Sequence, residues 1–220
     1  MNFLINNNYL IAGTTIKNGK APEQNNMALH VCDNTEAIIK NRQQLAHDIG
    51  CKITDFVCAE QTHSSNFYKV TSLDRGKGAV TMEDAIPNTD ALYTYESSIL
   101  LTSFSADCVP VLLYNEKSGV IGAIHSGWQG TVKEITPRLL HQLIIEEEND
   151  ASAFHVYIGT ALSQQKFEVD RDVYEKFKAL GYAGEFMYYN PETNKYHIDN
   201  QKTVKKQCEL AGMPANQIMI

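Results

Sequence analysis

Apolar positions crowd into the middle of the chain. From Ile99 to Gly130 they run almost unbroken in three blocks, Ile99 to Phe104, Val109 to Tyr114 and Gly119 to Ile124, preceded by Asp90-Ala91-Leu92-Tyr93-Thr94. Short blocks that are continuous rather than alternating predict strands covered on both faces. Elsewhere the period becomes helical. Asp33, with Glu36 three places on, resembles a capping box, and the helix behind it carries Ile38, Leu45 and Ile49 and stops at Gly50. Thr131 to Glu148 sets Val132, Ile135, Leu139, Leu140, Leu143 and Ile144 on one face, and Pro137 must kink that helix or start a second one behind Thr136. A helix from about Arg171 ends at Gly181, and one capped by Asp199 ends at Gly212 before Pro214.

Short extended runs at Tyr9 to Gly13, Asn26 to Val31, Phe56 to Ala59, Phe67 to Val70, Phe154 to Gly159 and Gln217 to Ile220 complete the pattern. Long polar loops span 14–26 and 74–88, and loops of that length are often functional. The pattern predicts an α+β fold of mixed, largely buried β-sheets flanked by helices. With no repeat, low-complexity tract or linker, residues 1–220 are expected to form a single domain.

Composition narrows the setting. Apolar residues make up 43% and charged residues 20%, the balance of a folded globular chain rather than a disordered one. A net charge of −7 speaks against a nucleic-acid or anionic-membrane partner, which needs a concentrated basic patch. The amino terminus carries neither a basic leader nor a long apolar run, and no stretch approaches the roughly 20 residues of a membrane span. Five scattered cysteines, an odd number, are not a disulfide framework, which leaves thiols available for metal or catalysis. A cytoplasmic monomer with no nucleic-acid or membrane partner is expected.

Candidate chemistry sits at the breaks in the apolar tract. Cys108 opens one strand and His125 closes the next, 17 positions on (108 to 125), so an antiparallel pair turning at Asn115 to Ser118 brings both to one edge. His63, in the polar turn Glu60-Gln61-Thr62-His63-Ser64-Ser65, can reach a cleft at that edge. A thiolate with two imidazoles leaves a tetrahedral ion one open position, the arrangement of catalytic zinc, and the same set suits copper. A buried strand cysteine with two unrelated loop histidines fits the spacing equally well. Asp107, beside Cys108, is a candidate proton-transfer group or simply a strand-end residue, and Arg42 reads from the pattern as a solvated helix arginine.

The strings Gln61-Thr62-His63, Thr89-Asp90-Ala91, Ala106-Asp107-Cys108-Val109-Pro110-Val111-Leu112-Leu113, His125-Ser126-Gly127-Trp128-Gln129-Gly130 and Ile158-Gly159-x-Ala161 fall in order along the chain. Together they resemble the signature of the YfiH family, also known as laccase-domain or multicopper polyphenol oxidase proteins and as peptidoglycan-editing factors. The resemblance implies a YfiH-like fold and a zinc-dependent enzyme of purine nucleoside metabolism. Its expected reactions are phosphorolysis of adenosine, inosine and methylthioadenosine, and deamination of adenosine.

By the same resemblance His63, Cys108 and His125 are the metal ligands and catalytic residues. Asn26, His30, Arg42 and Gln61 match polar positions beside the active site, with Arg42 the candidate partner for a phosphate or ribose oxygen. Copper-dependent phenol oxidation and a metal-free Cys-His hydrolase or cell-wall precursor editing factor are the alternatives. True multicopper sites use about ten histidines, often in His-x-His pairs, whereas this chain has seven and no such pair.

Three positions depart from the family pattern. Gln129 stands where an arginine is usual, Thr14-Thr15-Ile16-Lys17 replaces Ser-Thr-Arg, and Gln165 replaces a cysteine. Family members also usually continue past the position of Ile220, through a strand with Cys-Thr and a basic segment, so this member is expected to be either short or clipped.

Overall fold

In the computed structural model, which describes residues 1–220, the apolar runs Val109–Asn115 and Ile121–Ser126 pair antiparallel, as their pattern predicts. Asn115 sets the turn between them: its side-chain oxygen accepts the amides of Lys117 and Ser118 at 3.0 Å each. Gly119 then takes φ +76°, a left-handed conformation that glycine adopts at little steric cost.

In chain order the strands are β1 (Asn2–Asn6), β2 (Ile11–Thr14), β3 (Phe56–Val57), β4 (Phe67–Lys69), β5 (Ala91–Thr94), β6 (Leu100–Leu101) and β7 (Val109–Asn115). They continue with β8 (Ile121–Ser126), β9 (Phe154–Ile158), β10 (Glu168–Val169), β11 (Met187–Asn190), β12 (Lys195–Ile198) and β13 (Ile218–Met219). The α-helices are α1 (Thr35–Asp48), α2 (Trp128–Val132), α3 (Ile135–His141), α4 (Arg171–Lys178) and α5 (Asn200–Leu210).

The largest sheet has the order β13-β9-β7-β8-β5-β4, with parallel pairs at its two edges and antiparallel pairs inside. Three smaller sheets, β1-β2, β3-β6 and β10-β12-β11, surround it. Together they give the mixed, helix-flanked architecture expected. Two runs differ from their expectation: Asn26 to Val31 forms no strand, and from Ile99 to Phe104 only Leu100 and Leu101 are strand, pairing with β3 rather than with the central sheet. Strands β7 and β9 also alternate between fully and partly buried residues instead of being closed on both faces.

The core lies between the helix-facing side of the sheet and α3 and α5. Val109, Val111 and Ile124 from the sheet meet Ile135, Leu139, Leu140 and Leu143, with Val204 and Cys208 from α5, each fully buried. Each such aliphatic side chain contributes roughly 1.5 to 3 kcal/mol over its exposed state. On the other side Leu112, Tyr114 and Tyr157 line a cavity of about 300 Å³ roofed in part by β1 and β2. His155, half-buried on β9, lies in that wall and stacks on Tyr114 with ring centroids 4.7 Å apart.

Two helix starts differ from the sequence reading. Asn34, not Asp33, caps α1, because its side chain accepts the amides of Glu36 and Ala37 at 3.0 and 3.3 Å. The 131–148 helix breaks at Glu134, which takes φ +59°, so Pro137 falls in the first turn of α3, where its missing amide costs nothing. Thr136 is therefore inside α3 rather than its cap.

Candidate metal centre

The β7–β8 register places Val109 opposite Ser126 and Pro110 opposite His125. Cys108, one residue before β7, therefore lies at the edge where β8 delivers His125. His63 reaches the same edge from the loop between β3 and β4, with its Nε2 3.9 Å from the Cys108 Sγ. Ligand atoms of His63, Cys108 and His125 all lie within 4.8 Å of one another, and the two imidazoles meet edge-on with centroids 4.9 Å apart. Two ligands of a tetrahedral zinc stand roughly 3.5 Å apart, given bonds near 2.3 Å to sulfur and 2.0 Å to nitrogen. The three residues fit such an ion with small adjustments.

What holds them is a buried carboxylate, Asp90, immediately before β5. Its Oδ1 bonds His125 Nδ1 at 2.9 Å and accepts the His63 amide at 3.1 Å. Its Oδ2 accepts the amides of Thr62 and Ser64 and the Ser64 hydroxyl at 3.2, 2.7 and 2.6 Å. Three successive amides thus close on one anion, and this stabilises the left-handed φ of +58° at His63, an unfavourable conformation for a non-glycine residue.

The same carboxylate also fixes the His125 tautomer. With Nδ1 engaged, Nε2 is the nitrogen left for a ligand, the carboxylate–histidine–metal arrangement of many metal sites. Burial by itself would raise the Asp90 carboxyl, yet the bonds from His125 and Ser64 hold it down at about 2. Burial would likewise lower His125, but Asp90 and the Cys108 thiol raise it to about 9. His63 is lowered, by burial and then by the neighbouring His125 charge.

The backbone closes tightly around the ligands. A Cβ added at Gly127 would lie 2.8 Å from His63 Cδ2 and 3.0 Å from Cys108 Sγ. Asp107, the carboxylate that sequence proximity suggested, is exposed and its side chain bonds nothing; Asp90 occupies the position it was weighed for.

The other polar candidates are arranged differently. Arg42 is fully buried, not solvated, with Nε bonded to the Met27 carbonyl and Nη1 to the carbonyls of Gly78 and Ala79 at 2.7 to 2.8 Å. Its guanidinium carbon lies 4.9 Å from the Phe104 ring centroid, and the remaining nitrogen, Nη2, is buried without a partner. No Arg42 nitrogen is open to a phosphate from solvent. Gln61 clamps the same phenylalanine through its backbone, donating to the Phe104 carbonyl and accepting its amide at 2.8 Å each.

His30 meets the Phe104 ring edge-on at 6.2 Å. Its pKa is lowered by burial and then by the charges of His125, Arg42 and His63, which puts it beside the centre. Asn26 is spent on its own loop, bonding the Val31 carbonyl, the Ala28 amide and Glu23. Asp90, Gly127 and Phe104 are the contributors that sequence reasoning gave no role; Asp90 had a signal, since Thr89-Asp90-Ala91 is one of the ordered motifs.

Residues 13–220 match the family model described as multi-copper polyphenol oxidoreductase laccase. The chain is 33% identical over 219 residues to the purine nucleoside phosphorylase YlmD of Bacillus subtilis, covering 98% of this chain and 79% of that one. It is 35% identical over 210 residues to a purine nucleoside phosphorylase of Staphylococcus saprophyticus, covering 94% and 78%. The crystal structure of a Bacillus licheniformis hypothetical protein, YfiH, superposes with a TM-score of 0.85 at 30% identity, covering 89% of this chain and 74% of that one. That of YlmD from Geobacillus stearothermophilus gives 0.81 at 31% identity, with coverages of 89% and 73%. With the ordered motifs, the helix-flanked sheets and the His-Cys-His cluster all in place, the chain belongs to the YfiH family, the multi-copper polyphenol oxidoreductase laccase group.

Proposed function

We propose that this chain is a zinc-dependent purine nucleoside phosphorylase acting on adenosine, inosine and methylthioadenosine, with adenosine deamination as a second activity. One observation carries it: two imidazoles and a thiol converge within 4.8 Å in a chain similar to proteins named purine nucleoside phosphorylases. His63, Cys108 and His125 would hold the ion, which when bound supplies Lewis acidity at a coordination position the three leave open. In phosphorolysis the glycosidic C1′–N9 bond breaks with its electron pair leaving on the purine, a phosphate oxygen bonds C1′, and the purine takes up a proton. Asp90 keeps a proton on His125 Nδ1 and so keeps Nε2 directed at the centre.

His30, held neutral at pH 7 by burial and the neighbouring cations, offers a hydrogen-bonding ring to the substrate. Arg42 and Gln61 act indirectly, by fixing Phe104 as a wall, and Asn26 shapes the loop that carries His30. Five free thiols suit a reducing, cytoplasmic setting.

The donor set also favours a second reading. A thiolate with two imidazoles binds copper as well as zinc, and the family description names a copper oxidoreductase. Without metal, Cys108, His125 and Asp90 line up as nucleophile, base and orienting acid, the order of a cysteine hydrolase. Metal analysis of protein purified without added metal, followed by incubation with adenosine and phosphate, separates the three. Stoichiometric zinc with release of adenine supports phosphorolysis, a blue or phenol-oxidising sample supports copper, and a metal-free active protein sinks both. Cys108→Ala is expected to remove zinc and activity together; activity lost with zinc retained would make Cys108 a nucleophile.

A further inference from the structure

A phosphate dianion approaching this centre meets a chain of net charge −7, with the Asp90 carboxylate and the Cys108 thiol beside the ligand histidines. Besides the ion that the three ligands would hold, a side-chain cation within reach would offset the remaining phosphate charge. Other basic side chains are committed elsewhere: Arg75 pairs with Asp55, Lys77 with Asp74, and Lys69 with Glu147. Arg42 is buried under three carbonyls.

Lys133 is different. It follows α2, the short helix that starts from the Gly127 segment packed on His63 and Cys108. Its side chain is exposed, pairs with no carboxylate, and rests its Nζ on the His63 carbonyl at 2.7 Å. The adjacent Glu134 forms no ion pair with it and instead accepts a hydrogen bond from the Tyr182 hydroxyl at 2.9 Å. A lysine on one neutral hydrogen bond, against the backbone of a metal ligand, is a poised point charge for phosphate.

We propose that Lys133 binds the inorganic phosphate used at this centre, exchanging its bond to the His63 carbonyl for one to a phosphate oxygen. This rests on the phosphorylase reading for its purpose, though not for its measurement.

The test uses metal-loaded full-length chain with inorganic phosphate as the probe. Phosphate dissociation constants are measured by calorimetry for wild type, Lys133→Gln and Lys133→Arg, alongside phosphate-dependent release of adenine from adenosine. Lys133→Gln is expected to weaken phosphate binding about tenfold and Lys133→Arg to restore it to within about threefold, as charge rather than shape is what lysine supplies. Equal affinity per loaded centre in wild type and Lys133→Gln overturns the assignment, as does a wild type that binds no phosphate. Lys133-dependent phosphate binding with no adenine release keeps the assignment and overturns the phosphorylase reading instead.

Discussion

Asp90 does at one position what a metal site usually spreads over several residues. It orients His125, accepts three consecutive amides of the His63 turn, and is itself shielded from water. Replacing it by Asn removes the charge that those donors converge on while keeping the shape. Asp90→Asn is therefore expected to weaken metal affinity by about 10- to 100-fold, read by competition with a chelator; unchanged affinity would mean that the carboxylate only anchors the loop. Individual side chains were unevenly legible. Cys108 and His125 could be brought together from the strand–turn–strand spacing, but that spacing fitted a structural cysteine with unrelated histidines equally well, and it was the resemblance of the ordered motifs that joined His63 to them as a ligand set. Arg42 could not be placed, because nothing in its helical spacing reveals that the loops at 27 and 78–79 turn their carbonyls inward to receive it. Asp107 was weighed because it adjoins Cys108, yet it sits in the bend before β7 with its side chain exposed, so sequence proximity was a poor guide there.

Among the elements, the β7–β8 hairpin was readable because a local turn fixes its register, and the register alone carries Cys108 to His125. The run at Ile99 was misplaced for the converse reason: the apolar pattern marks a strand without saying which sheet accepts it, and β6 pairs with β3 instead. The passage from β8 into α2 is the most constrained connection. Gly127 has an ordinary φ of −60°, so its requirement is spatial rather than conformational. Gly127→Ala is expected to leave the fold intact by circular dichroism but to drop bound metal per chain well below wild type after gel filtration. A fully loaded Gly127→Ala protein would show that the ligands can shift to admit the methyl group.

Taken whole, the molecule sets one sheet between a helical layer and a partly open face, and none of its helices is long and apolar enough to cross a membrane. The mixed architecture was legible from alternating helical and extended periods. The partly open face was not, since half-buried Leu112, Tyr114 and Tyr157 read as apolar as any core residue.

The reach of Asp90 has a consequence for the order of events in folding. It lies 27 residues from His63 and 35 from His125, so the first contact waits on β5 docking beside β4 and the second on β5 docking beside β8. Contacts of such separation are made only after the intervening loops close, which places the assembled ligand set late on the folding path. An ion that binds only the finished set acts after the rate-limiting step and leaves folding speed alone while slowing escape from the native state. In stopped-flow experiments metal is expected to slow unfolding while refolding stays within about twofold of the metal-free rate; equal acceleration of refolding would place the ligands in the nucleus. The centre is then a latch on a sheet already formed, and the chain's lifetime in the native state is set by whether that latch is loaded.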